Sequence, residues 1–266
     1  MKTLFNFAAV LFIAFNMQSC NLLSAAGVSS QGQPTKKVKS NLTSTTANSK
    51  SNIDHSSWDV LLKKYVNKAG LVDYKGFKAD EAKLEDYLTM LSKNEPSKDW
   101  SVQELLAYYI NIYNAATVKL IVENYPTESI KNIDGNWTKG RVSIGKRELS
   151  LGGIENGILR KMNEPRIHFA INCASISCSK LLNEAFTAAK INEQLDRVTK
   201  EFVNSEENDI SATNPKLSSI FDWYQKDFNV NGKQNVIGYI NKYSKTKINS
   251  EATITYKNYD WNLNEQ

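Results

Sequence analysis

Residues 166–181 read RIHFAINCASISCSKL and hold one of the chain's two histidines and two of its three cysteines. Ile167, Phe169 and Ile171 alternate with His168, Ala170 and Asn172, the period-two pattern of a buried strand. The spacing predicts a strand over 167–172, a turn over Ala174 to Ser179, and a helix beginning by 181–190 at the latest. On a continuing strand His168 and Cys173 would face opposite ways, so pairing them requires the chain to turn immediately after Asn172. A helix start beside Cys173 or Cys178 would then stabilise a thiolate through its aligned amide dipoles.

Helical periodicity dominates the surrounding sequence. Trp58, Leu61, Leu62 and Val66 predict a helix over 57–68, Leu84, Tyr87, Leu88 and Leu91 another over 80–93. The strongest runs from Ser101 to Tyr125, where Ser101 and Glu104 have capping-box spacing and Pro126 ends it. Val142 and Ile144 flank the Gly145 turn as a hairpin would, and 150–162 and 191–204 read as helices. A further compact aromatic helix or turn is expected over 217–228, a helix over 236–243, and a strand over 252–256. The expected fold is α+β: a helix-dominated single domain over 54–266 with a small mixed or antiparallel sheet, the Cys-rich segment leaving its central strand.

Within the long helix Tyr108, Asn111 and Asn114 share a face. Buried amides need partners, so Asn111 and Asn114 either wall a polar substrate site or tie the helix to a neighbouring backbone. Trp223 and Trp261 read as core or lid aromatics, and Asp222 and Asp227 as surface carboxylates.

The N-terminal fifth has a different character. Lys2 precedes an apolar run from Leu4 to Phe15 that is too short for a permanent membrane span and leads into Asn-Met-Gln-Ser-Cys20. Residues 1–19 therefore read as a lipoprotein signal peptide, with Cys20 acylated and membrane lipid as its partner. Residues 20–53 are rich in Ser, Thr, Asn, Gln and Lys, the composition of a flexible tether with a reach on the order of 30 Å. The formal net charge is +5, but Lys2, Lys36, Lys37, Lys39 and Lys50 precede Asp54 without any acidic residue among them. The domain itself is thus neutral, which removes the footprint of nucleic-acid binding. The expected location is the cell envelope, lipid-anchored at the outer membrane on its periplasmic or surface face.

Four segments, LAYYINIYNAATVKL from Leu106, LGGIENGILRKMNEPRIHFAINCASISCSKL from Leu151, LSSIFDWYQKDF from Leu217 and YDWNLN from Tyr259, resemble the uncharacterised bacterial and plant family catalogued as domain of unknown function 547. Its hallmark is a histidine followed by Asn-Cys-Ala-Ser and a second Ser-Cys. Ser179 stands where that family usually has proline, and Asn156 where histidine often follows the glutamate. The family is distantly similar to papain-like and transglutaminase-like thiol enzymes with the histidine first.

That likeness implies a thiol hydrolase or acyltransferase acting on an amide or ester, with an envelope peptide or glycan as substrate. Cys173 or Cys178 would attack, His168 would carry the proton, and Glu155 or Asn172 would orient the imidazole. Amides at the helix start, with Asn111 or Asn114, would hold the oxyanion. The alternative is a non-catalytic binding or scaffold lipoprotein with a Cys173–Cys178 disulfide, the usual fate of two cysteines outside the cytoplasm. A metal held by His168, Cys173 and Cys178 falls short on ligand count, and no cofactor is expected.

Overall fold

A computed structural model describes residues 20–39, 41–44 and 53–266. The predicted signal peptide, 1–19, lies outside the described residues.

The fold is built round the helix Val102–Glu123, started by Ser101 and Glu104 in a complete capping box. That helix is long and apolar enough to cross a membrane, yet 94% of its apolar window is buried inside the domain, so it is the core. Helices Ser56–Tyr65, Tyr74–Ala79 and Glu81–Lys93 pack on one side of it through Trp58, Phe77, Leu84 and Tyr87. Each such buried aromatic or branched side chain contributes about 1.5–3 kcal/mol by leaving water. Helix Ile191–Val203 closes another side with Leu195, Val198 and Phe202, as its spacing predicts.

The β content is three separate two-stranded pairings among the described residues. The Gly145 hairpin joins β1 (Val142–Ile144) to β2 (Arg147–Leu149), the turn glycine at φ +58°. Strand β3 (Lys216–Leu217) pairs in parallel with β6 (Thr255–Tyr256), and β4 (Asn229–Val230) with β5 (Lys233–Gln234) in antiparallel. The helix-rich α+β class is as expected. A central strand carrying the cysteines is not found.

Residues Pro165–Phe169 instead form a 3-10 helix. Pro165 at its first turn presets the backbone, and the Glu164 carboxylate accepts from the Arg166 N–H at 3.2 Å. The Arg166 guanidinium holds Glu164 at 2.6 Å and Asp196 of the Ile191–Val203 helix at 2.7 Å, fixing the turn against that helix. Residues 166–172 are buried on both sides, so their alternation carried no information about strand geometry. Residues 179–190 form turns and irregular backbone, so the helix expected to start beside the cysteines is also absent.

The predicted 150–162 helix is a π-helix, Gly153–Ile158, running into a 3-10 turn, Leu159–Met162. Such turns recur at functional sites. Its glycines have a packing role: a Cβ on Gly153 would meet Ser24 Oγ at 2.8 Å, and one on Gly157 would strike the Ser29 carbonyl.

The same contacts hold residues 20–39 and 41–44 of the expected tether to the domain, while residues 40 and 45–52 lie outside the described residues. Residues 20–25 are helical and the chain then runs as a strap along the domain, with Asn21, Ser24, Gln33 and Leu42 buried. Asn21 Oδ1 accepts from the Ser150 N–H at 3.0 Å, Asn156 donates to the Ala25 carbonyl at 2.9 Å, and the Val38 N–H to the Met162 carbonyl at 2.8 Å. Composition suggested a free leash because these anchors are main-chain groups and small polar side chains, which hydropathy does not register.

Candidate functional site

The two cysteines lie on the wall of a cavity of about 390 Å³, together with His168, Glu155, Tyr113, Tyr224, Tyr259 and three tryptophans, Trp137, Trp223 and Trp261. The 173–178 loop is held from behind. Asn172 Nδ2 donates to the Ser179 carbonyl at 2.7 Å and its Oδ1 accepts from the Ala174 N–H at 2.9 Å. Ala174, fully buried, sits at φ +59°, a left-handed conformation costing an alanine about 1 kcal/mol or more. Ser179 Oγ reaches the His168 carbonyl at 3.1 Å, linking the loop to the histidine's own turn.

Cys173 and Cys178 are both free thiols. The Cys173 N–H donates to Cys178 Sγ at 3.1 Å. Cys173 Sγ lies 3.0 Å from Ser175 Oγ and 3.3 Å from the Tyr259 hydroxyl, and Ser175 in turn donates to Tyr259 at 3.0 Å. The Cys178 thiol, Ser175 and Tyr259 together pull the Cys173 pKa below its ordinary value against the opposing effect of burial. Cys178 moves the other way: its proton is held toward Cys173, and burial adds to the rise. Burial first, and then the two neighbouring sulfurs, keep the Tyr259 phenol protonated and available as a donor. Cys173 is therefore the sulfur best placed to exist as an anion, through hydroxyl and thiol donors in the place of the expected helix dipole.

His168 is buried and paired with a residue that sequence reading took for a surface carboxylate. Its Nε2 lies 2.8 Å from Asp227 Oδ2, and its ring stacks on Tyr224 with centroids 4.0 Å apart. Arg160 grips the same carboxylate at 2.6 and 3.0 Å. Burial works to raise Asp227, and the hydrogen bonds from His168 and Arg160 overcome it and hold the carboxyl at about 2. The one sequence signal for Asp227 was its place in the aromatic Leu217–Phe228 segment. Nothing in that segment pointed to His168.

The other candidates fall in two groups. Glu155 belongs to the cavity, where its carboxylate accepts from Tyr224 at 2.6 Å and Tyr113 at 3.4 Å; it reaches the histidine only through the Tyr224 ring. Asn172, Asn111 and Asn114 hold backbone instead. Asn111 brackets Phe186, donating to its carbonyl at 2.7 Å and accepting from its N–H at 3.0 Å. Asn114 donates to the Ala170 carbonyl at 2.9 Å and accepts the Asn172 N–H at 2.9 Å. With both amide ends committed to main chain, these side chains support the loop from outside the cavity wall. No hydrogen bond joins His168 to either sulfur among the described residues.

Around the thiol the wall is aromatic. Tyr259 packs 4.5 Å from Trp261 and 4.8 Å from Trp223, Trp223 stacks on Trp261 at 5.8 Å, and Trp137 meets Trp261 edge-on at 5.7 Å. The expectation of lid or core residues fits Trp261, which is half-buried, while Trp223 stands 48% exposed at the rim. Cys20 is exposed at the start of the strap, and Ala25 of that strap lines the cavity.

Comparison with known proteins returns a family and nothing closer: no curated protein and no solved structure matches the chain. A family model matches residues 97–203, which take in the core helix, the hairpin, the π-helix and the cysteine loop and stop short of Tyr224, Asp227 and Tyr259. Over that span the chain resembles the family described as protein of unknown function, DUF547.

Proposed function

We propose that the protein is a lipid-anchored envelope enzyme in which Cys173 performs acyl transfer or hydrolysis on an amide or ester. The observation that carries this reading is the Cys173 sulfur on the cavity wall, with Ser175, Tyr259 and the Cys178 thiol arranged to stabilise its anion. In the first step the sulfur attacks the acyl carbon, and the proton that Cys173 gives up passes to the His168 imidazole. The S–C bond forms, the C–N or C–O bond breaks, and the imidazole returns the proton to the leaving amine or alcohol. Asp227, on Nε2, orients the ring and leaves Nδ1 for proton traffic. The thioester then passes to water or a second nucleophile, with His168 accepting the incoming proton. Tyr259, whose hydroxyl lies at the sulfur and accepts from Ser175, is the group of this chain suited to hold the oxyanion.

The test is thiol labelling of the unreduced full chain across pH, read by mass. Apart from Cys20, which is exposed, one rapidly alkylated residue, Cys173, whose rate falls in Tyr259→Phe, supports the enzyme. Absence of labelling before reduction means that Cys173 and Cys178 are joined, and the protein is then a binding or scaffold lipoprotein. The Trp137, Trp223 and Trp261 wall favours a glycan ligand on that second reading.

A further inference from the structure

The strap leaves Leu22, Leu23 and Val28 exposed at 57%, 52% and 72%, and Trp223 at the cavity rim is 48% exposed. Most of the exposed large hydrophobics among the described residues are therefore on the strap or at the mouth it borders. They are neighbours in space: the Val28 N–H donates to the Leu23 carbonyl at 2.9 Å, Ala25 between them lines the cavity with Trp223, and Asn156 of the same wall holds the Ala25 carbonyl. Residues 20–44 contain Lys36, Lys37 and Lys39 and no acidic residue, and Lys37 and Lys39 are exposed. Exposed apolar side chains on a segment whose charged residues are all cationic are the composition of a surface that lies in an anionic lipid interface. The chain that would deliver an acyl group, at Cys20, arrives on this same face and not at the end of a long leash.

We propose that this face rests on an anionic phospholipid surface, with Leu22, Leu23, Val28 and Trp223 inserted at the headgroup boundary, so that the cavity opens into the interface. The inference rests on reading Cys20 as the acylated anchor. It narrows the substrate to an ester or amide carried by a membrane-standing molecule whose scissile bond lies within the headgroup layer.

The experiment uses the full processed chain reconstituted into phosphatidylglycerol and phosphatidylethanolamine vesicles with brominated acyl chains, reading tryptophan emission. The expected result is quenching relative to unbrominated vesicles, lost in Trp223→Phe and in Leu22→Ser with Leu23→Ser, both at exposed positions that the fold tolerates. Equal emission in the two vesicle types overturns the proposal. The mass of the N-terminal peptide judges the anchor separately: an acylated Cys20 with no quenching rejects the docked face alone, and an unmodified Cys20 rejects the anchor and the docked face together. Neither outcome bears on thiol labelling, which judges the chemistry.

Discussion

The phenol oxygen of Tyr259 stands 3.3 Å from Cys173 Sγ across 86 residues of sequence. A donor to a thiolate stabilises the charged form, so removing it raises the thiol pKa. Tyr259→Phe is expected to raise the Cys173 pKa, because a hydrogen bond to the charged form is lost. The pH profile of the iodoacetamide reaction measures it. An unchanged profile would show that Tyr259 is packing only.

Asp227 sets an acid limit on the His168 pairing. Its folded pKa, about 2, lies below the ordinary 3.8, so its contribution to stability is complete above about pH 3.8 and is lost as pH falls toward 2. Asp227→Asn should unfold at lower urea than the parent protein near neutrality, and the difference should shrink across that window. Urea midpoints at a series of pH values give the answer, and a difference independent of pH would refute the charge argument.

His55 produces a second, higher window. It is buried, its Nδ1 lies 2.7 Å from the protonated Tyr87 hydroxyl, and burial lowers its pKa from 6.5 to about 4, with Asp54 opposing weakly. The unfolded state therefore takes up a proton that the folded state refuses, and stability falls as pH drops from 6.5 to about 4, by at most about 3 kcal/mol. His55→Gln keeps a hydrogen-bonding group and should flatten this slope. Thermal melts at pH 4, 5, 6 and 7 would reveal a slope that persists, which would locate the linkage elsewhere.

Gly157 is where the strap meets the π-helix. A Cβ there would meet Ser24 Oγ at 2.8 Å and the Ser29 carbonyl more closely still, and a main-chain oxygen cannot turn aside. Gly157→Ala should cost about 1–3 kcal/mol by overpacking, and it should loosen the strap before the core. Limited proteolysis would report this as faster cleavage within residues 20–39, with the 53–266 portion surviving. Unchanged cleavage would mean that the strap is held by its other bonds.

The helical framework was legible in the sequence because the apolar stripe of a half-buried helix has its own period, and because Ser101 and Glu104 advertise a cap. The Gly145 hairpin was legible for a similar reason: one glycine at positive φ between two alternating pairs. The 166–172 segment was not, since total burial erases the contrast on which periodicity depends, and Glu164 and Arg166 decide its turn through contacts with Asp196 on another helix. At the site, scarcity and the family hallmark found Cys173, Cys178 and His168. Their partners, Tyr259 and Asp227, were hidden because tyrosine and aspartate are common residues whose role arises only when distant segments meet.

Tyr259 reaches the sulfur on a segment that is itself stitched to the opposite end of the domain: the Leu263 N–H to the Glu128 carbonyl, Tyr74 to Asn264 Oδ1 at 2.7 Å, and the Gln266 N–H to the Val72 carbonyl. These are among the longest-range contacts in the molecule, and such closures form late in folding. Until residues 259–266 dock, Cys173 lacks its phenol donor. The phenol that stabilises the Cys173 anion is thus present only once residues 259–266 have docked on the domain.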